Sequence, residues 1–331
     1  MKLFTKIYYI TFGIIIAILL TGLILGSFYD LQISNAIVNQ NSTFGMICAS
    51  FGEIGGWAMM AIFGTMAFRL AQKVDKKIFK ILLIIFGILV IGVSYYLIFA
   101  DMNSSHNGFK EVSNLPVRLI LTGVIILAIC LISYKVIDTD NFKLLLCIWI
   151  ILMISYYVPL AINFITKSIA SRPRYRLIAS GYDIYSAHDL FVPWFKSFNE
   201  ELAQKVYSSD IVNSDDFKSF PSGHSFVSMT SVLISYLPIL NKKLKDKNWV
   251  RVLILVIAAL YAFTIEFSRI LYGAHYLSDT TMGGLLASLF ACLIPFCLFK
   301  VFKKEKSLNS KWLRINLKCV FNILERIPKS L

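Results

Sequence analysis

The sequence predicts an all-α polytopic membrane protein, a bundle of about eight transmembrane helices, and three observations carry that prediction. Of 331 residues, 57% are hydrophobic and only 16% charged, an apolar share above that of ordinary soluble domains. Eight apolar stretches are long enough for a spanning helix, which needs roughly 20 such residues. The lysines and arginines between them cluster in alternate links, as short cytoplasmic loops do.

The stretches run from Ile7 to Phe28, Met46 to Leu70, Phe79 to Ala100, Val117 to Ile137, Phe142 to Thr166, Ser222 to Leu240, Val250 to Phe267 and Thr280 to Phe302. The first follows Lys2 and Lys6 like a signal sequence. Its apolar run is too long for a signal core and no small-residue cleavage site follows, so it reads as a retained anchor. Gly22 and Gly26 on it form a GxxxG pair that allows close helix packing. Gly283, Gly284, Ala287 and Ser288 place small residues on the eighth stretch in the same way. Glu53 and Glu266 are acidic residues in or beside spans, where such groups are functional suspects. Glu266 precedes Arg269 by about one helical turn, which predicts a local ion pair.

Basic residues fall at the N-terminus, after span two (Arg69, Lys73, Lys76, Lys77, Lys80), after span six (Lys242, Lys243, Lys245, Lys247) and after span eight (Lys303, Lys304, Lys306, Lys311, Arg314, Lys318). With eight spans all of these share one side, so both termini are expected in the cytoplasm. Basic loops beside an anionic leaflet also account for the net charge of +14 without a nucleic-acid partner. Residues 1–141 read as N-terminal transmembrane helices, 142–302 as a catalytic core and 303–331 as a basic cytoplasmic tail. After Lys311 the tail alternates apolar and basic residues, fitting either an interfacial helix or a disordered end. Five of the six cysteines lie inside spans, with no CxxC and no metal-like spacing, and read as small packing residues.

One link breaks the charge pattern. About fifty residues separate spans five and six, long enough to suggest a functional segment. It opens with Lys167, Arg172, Arg174 and Arg176 on the side where other links avoid cations. Either this is a solvated patch near headgroups, or it binds a multiply charged anion such as phosphate. The link ends in Phe220-Pro221-Ser222-Gly223-His224-Ser225 before an apolar run. Pro and Ser are helix start signals, and a helix N-terminus offers free N–H groups and a positive dipole end to an anion. Between them, Asp189 to Phe198 mixes aromatic and polar residues, as a lid for incoming lipid or an aromatic belt would. Among four histidines, His188 has no recognisable partner.

The stretch Ser268 to Asp279 joins spans seven and eight. In it Arg269 supplies a planar fork of donors for phosphate oxygens. His275 can act as nucleophile or base near neutral pH. Asp279, four residues on, lies on the same face of a helical turn and can hold the imidazole.

Taken together, the three motifs resemble those of the type-2 phosphatidic acid phosphatase superfamily. That group includes lipid phosphate phosphatases, polyprenyl diphosphate phosphatases, glucose-6-phosphatase and vanadium haloperoxidases. Its pattern is lysine, six residues, Arg-Pro; then Pro-Ser-Gly-His; then Ser-Arg, five residues, His, three residues, Asp. The second motif is complete at Pro221 to His224, and the third at Ser268, Arg269, His275 and Asp279. The first departs: six residues after Lys167 stands Arg174, but Tyr175 follows it, and the Arg-Pro present is Arg172-Pro173. Arg174 is the choice for the family arginine, with Arg172 its rival. The resemblance covers residues from about 142 to 300.

It implies an extracytoplasmic site in a membrane-bundle core. His275 would attack phosphorus, with Asp279 orienting it, and His224 would act as general acid and then base. Lys167, Arg174 and Arg269, with Ser222 and the Gly223 amide, would hold the phosphoryl oxygens. No metal or cofactor is called for. The expected activity is hydrolysis of a lipid phosphate monoester or diphosphate within the bilayer. Phosphatidic acid, phosphatidylglycerophosphate and undecaprenyl diphosphate types all remain open, as does oligomeric state. The alternative is phosphotransfer from the same histidine to a lipid or glycan acceptor. A transporter or scaffold would gather polar residues at mid-span, whereas here the ionisable cluster sits at one edge.

Overall fold

The computed structural model describes residues 2–104, 109–179, 190–196 and 214–307. His106, His188, Cys319 and the amphipathic part of the tail lie outside them. The chain divides into two compact units, Met1–Ala291 and Cys292–Leu331, and all three motifs fall in the first.

The helices in chain order are α1 (Lys2–Ile37), α2 (Thr43–Phe51), α3 (Ile54–Ala71), α4 (Lys77–Asn103), the short α5 (Phe109–Val112), α6 (Leu115–Val136), α7 (Phe142–Ala170), the short α8 (Tyr175–Ala179), α9 (Gly223–Thr230), α10 (Asn248–Leu271) and α11 (Leu277–Ser307). A 3₁₀ stretch, Ser231–Leu240, continues α9. Eight helical stretches are long and apolar enough to cross a bilayer, the number expected from sequence, and the chain is a multi-pass membrane protein. Rows of exposed apolar side chains, such as Ile10, Ile14 and Ile18 on α1 and Leu82, Ile85 and Leu89 on α4, mark the lipid-facing surfaces.

Two spans differ from expectation in ways that matter for the site. The second is broken at Gly52 and Glu53 into α2 and α3, so Glu53 stands at a helix start instead of mid-helix. The first continues past Phe28 to Ile37. At 1.5 Å per residue its 36 residues extend about 54 Å, well beyond a hydrocarbon thickness of about 30 Å. That extra length carries Asp30 to the motif end of the bundle.

Local signals set the other boundaries. Asn114, Asn141 and Ser222 cap α6, α7 and α9, each accepting a hydrogen bond from the backbone N–H three residues on. The small residues of the first and eighth spans meet each other. A Cβ on Gly26 would fall 2.7 Å from the Ser278 nitrogen, and one on Gly22 would fall 2.6 Å from Thr281 Cγ2. The α1–α11 contact therefore tolerates no side chain there. Gly273 turns the chain between α10 and α11 with φ +66°, a conformation that glycine adopts without steric cost.

The opposite end of the bundle gathers the basic links. Asp138 N donates to Leu240 O at 3.0 Å, Lys242 pairs with Asp140 at 2.6 Å, and Arg69 donates to Tyr134 O at 2.8 Å.

Candidate active site

The motif end of the bundle is built where the C-terminal ends of α1, α4, α7 and α10 meet the starts of α3, α9 and α11. A cavity of about 240 Å³ there is lined by Lys167, Arg174, Gly223, His224, Arg269 and His275. Three chain segments separated by up to about a hundred residues thus supply one chamber.

His275 is 1% exposed. Its Nδ1 lies 2.7 Å from the Ser219 carbonyl oxygen and 3.8 Å from Asp279 Oδ2. A carbonyl only accepts, so Nδ1 carries the hydrogen and the lone pair sits on Nε2, 3.5 Å from Arg174 Nη1. Burial holds the imidazole well below the ordinary histidine range; nearby Asp279 opposes this, while Arg174 and Lys167 add to it. The ring is neutral near pH 7.

Asp279 does not line the cavity. Its Oδ1 accepts from Arg172 Nη1 at 2.5 Å. Its Oδ2 accepts from Ser219 Oγ at 2.5 Å and from the Tyr276 nitrogen at 2.8 Å. The carboxylate therefore reaches His275 chiefly through Ser219, a residue no motif pointed to.

The two rival arginines have different surroundings. Arg174 lines the cavity; its Nε bonds the Asp215 carbonyl at 2.9 Å and its Nη2 pairs with the Asp215 carboxylate at 2.9 Å. Arg172 is outside the lining and 2% exposed. Its Nε donates to Val192 O at 2.8 Å, Nη1 to Ser278 Oγ and Asp279, and Nη2 to Asp30 Oδ2 at 2.9 Å. With its donors committed and its guanidinium 4.2 Å over the Tyr276 ring, Arg172 knits α1 and α11 together instead of facing a ligand.

Ser222 is also turned away. It is fully buried, its hydroxyl caps α9, and its nitrogen donates to Asp279 O at 2.9 Å. Arg176, the last of the cations that open this link, lines the cavity but is paired with Asp216 at 3.1 Å and Asp215 at 3.5 Å.

Arg269 is 3% exposed, and its Nε and Nη1 have no hydrogen-bond partner among the described residues. The ion pair expected with Glu266 does not form among these residues. Glu266 points at α11, where a Cβ on Gly284 would fall 2.3 Å from its Oε1. Buried guanidinium donors are costly to leave unmade, and here they stand in the wall of the cationic chamber.

His224 has both ring nitrogens engaged: Nδ1 with Glu53 Oε1 at 2.9 Å and Nε2 with Ala49 O at 3.1 Å. Two acceptors suit an imidazolium, which donates from both nitrogens. Glu53 Oε2 in turn accepts from Trp57 Nε1 at 2.9 Å, and the same indole N–H lies 2.9 Å from Asp101 Oδ2. Sequence had singled out Glu53 as an acidic residue in a span, but gave no sign of its partner.

The segment Leu190 to Lys196 packs on this assembly. Trp194 stacks on Phe220 at 5.4 Å and donates to Ser27 Oγ at 2.8 Å, while the Phe191 ring meets Tyr276 at 5.5 Å.

Fold and site together describe a helical membrane protein with a buried cationic chamber holding two histidines, suited to a phosphoryl group. In agreement, the family model of the PAP2 superfamily matches residues 143–303. That stretch, from the start of α7 into the end of α11, is similar to the PAP2 superfamily, whose activity is phosphatase or phosphotransferase chemistry on phosphate esters. No curated protein and no solved structure matches the chain.

Proposed function

We propose that the protein is a phosphatase for a lipid phosphate monoester or diphosphate, working through a phosphohistidine at His275 on the extracytoplasmic side. The observation that carries this reading is the His275 imidazole. Its Nδ1–H is held by the Ser219 carbonyl, and its Nε2 lone pair faces the chamber walled by Arg174, Lys167 and Arg269.

In the first step, His275 Nε2 bonds to phosphorus as the bond from phosphorus to the leaving oxygen breaks. The proton on His224 Nε2 passes to that oxygen, and the alcohol, or phosphate monoester from a diphosphate, departs. In the second step a water oxygen bonds to phosphorus, its proton goes to His224, and the bond to His275 breaks. Lys167, Arg174 and Arg269 offset the charge on the three equatorial oxygens. Protein cations suffice for that work, so the reading requires no metal. Asp279 steadies the charged histidine formed on attack. A lipid reaches such an edge site by lateral diffusion, and the basic links at the other end of the bundle support placing the site extracytoplasmically.

The test is phosphate release from phosphatidic acid, phosphatidylglycerophosphate and undecaprenyl diphosphate by wild type and His275→Ala, with vanadate as a mimic of the five-coordinate phosphorus. Vanadate-sensitive release by wild type alone is expected. Equal release by the variant would remove His275 from the reaction, and strict dependence on an added acceptor alcohol would convert the reading to phosphotransfer.

A further inference from the structure

The match to the PAP2 superfamily begins at residue 143, yet one wall of the chamber comes from well before it. Glu53, Trp57 and Asp101 line the same cavity as the two histidines. Glu53 is 7% exposed and stands at the break between α2 and α3, where the chain turns its side chain toward α9. There it meets His224 Nδ1 at 2.9 Å. Ala49, which holds the other ring nitrogen, belongs to α2. Among the described residues, both hydrogen bonds of the His224 ring are thus made by the N-terminal segment Ala49 to Glu53, and none by the matched region.

We propose that Glu53 is the positioning residue for His224, with Trp57 and Asp101 holding Glu53 in place. The inference rests on His224 being the general acid. Glu53 anchors Nδ1–H, which leaves Nε2 to exchange its weaker 3.1 Å contact with Ala49 O for the leaving oxygen. The other charged groups facing the chamber are Lys167, Arg174, Arg176, Arg269, Asp101 and Asp215. These four cations repel a proton on the imidazole, and the Glu53 carboxylate in direct contact is the group placed to offset them. Trp57 Nε1 sits 2.9 Å from both the Glu53 and the Asp101 carboxylates, and Trp57 O accepts from Ser94 Oγ at 2.8 Å on α4. The indole N–H thus bridges the two carboxylates, while Ser94 holds the Trp57 backbone. Helices α2 to α4 are therefore part of the active site as well as its scaffold.

The experiment compares two substrates with the full chain in detergent, reading kcat/KM, which reports phosphoryl transfer to His275 and not the later hydrolysis. Phosphatidic acid has a poor leaving alkoxide that needs a proton, whereas nitrophenyl phosphate does not. Glu53→Gln is expected to lower kcat/KM for phosphatidic acid about 100-fold, within the range of general acid catalysis. For nitrophenyl phosphate the change is expected to stay within about threefold. The alkaline limb of the phosphatidic acid profile should move at least about one unit toward lower pH, the displacement a lost opposite charge produces. Parallel losses on both substrates, or an unmoved alkaline limb, would overturn the proposal. If Glu53→Gln does not fold, Glu53→Asp carries the same comparison, and a wild-type ratio of the two substrates there would overturn it equally. His275→Ala serves as the separate control. If it retains activity, the phosphohistidine reading fails whatever Glu53 does; if it is inactive while Glu53→Gln behaves as wild type, only the role of Glu53 fails.

Discussion

His275 Nδ1 is 2.7 Å from the carbonyl oxygen of Ser219 and 3.8 Å from the carboxylate of Asp279. The aspartate that the motif pairs with this histidine bonds the residue that touches it: Ser219 Oγ donates to Asp279 Oδ2 at 2.5 Å. Ser219→Ala keeps the carbonyl and removes the hydroxyl. Losing one hydrogen bond of about 1–1.5 kcal/mol corresponds to roughly a tenfold lower kcat with little change in KM. A larger fall in KM than in kcat, measured on the same lipid, would contradict this division of labour.

The pH profile has a defined sign on its acid side. Burial lowers the proton affinity of His275, and in the proposed reaction the neutral ring is the nucleophile. Activity should persist below the ordinary histidine value of about 6.5 and fall only when pH drops through the lowered value. The same shift adds stability that is complete above pH 6.5 and lost as pH falls toward the folded-state value, because the unfolded chain binds the proton first. An acid limb of kcat/KM at or above 6.5 would show that His275 is not held this way.

The two neighbouring arginines should fail differently. Arg172→Ala leaves Asp30 and Asp279 buried without their shared cation, a loss of about 3–5 kcal/mol for a broken buried pair, visible as a lowered melting temperature in detergent. Arg174→Ala removes a chamber wall, and is expected to weaken vanadate inhibition and lower kcat by roughly 10²-fold or more with a smaller change in melting. Similar melting losses for both would mean that the chamber and the Arg172 network are not separable.

Packing of α1 on α11 gives a prediction away from the chemistry. Gly26→Val places new atoms within the contact now made with Ser278, and overpacking of this kind costs about 1–3 kcal/mol. Because Ser278 also contacts Asp30 and Arg172, activity should fall along with melting temperature. A variant with wild-type melting would show that α1 docks elsewhere.

The members of the site that sequence could name are those carried by short-range patterns. Pro221 to His224 reads as a helix start because capping chemistry is local, and His275 and Asp279 are linked by spacing of about one turn, with Arg269 six residues before His275. Spacing also misled: Glu266 and Arg269 sit one turn apart yet face different neighbours. Asp30, Glu53, Asp101 and Ser219 were not assignable, since each meets its partner across a gap in sequence that no periodicity encodes. Asp30 bonds Arg172 across 142 positions and Glu53 bonds His224 across 171.

By itself the amino-acid order determined the eight apolar spans, the end of the bundle that would hold the motifs, and the histidines available for phosphoryl chemistry. These follow from hydropathy, charge and local capping, which act over a few residues. Only the tertiary structure decided which arginine faces the chamber, which groups hold each histidine, and that helices outside the matched region line the same cavity. Those outcomes depend on which buried donors and acceptors meet when helices distant in the chain pack together.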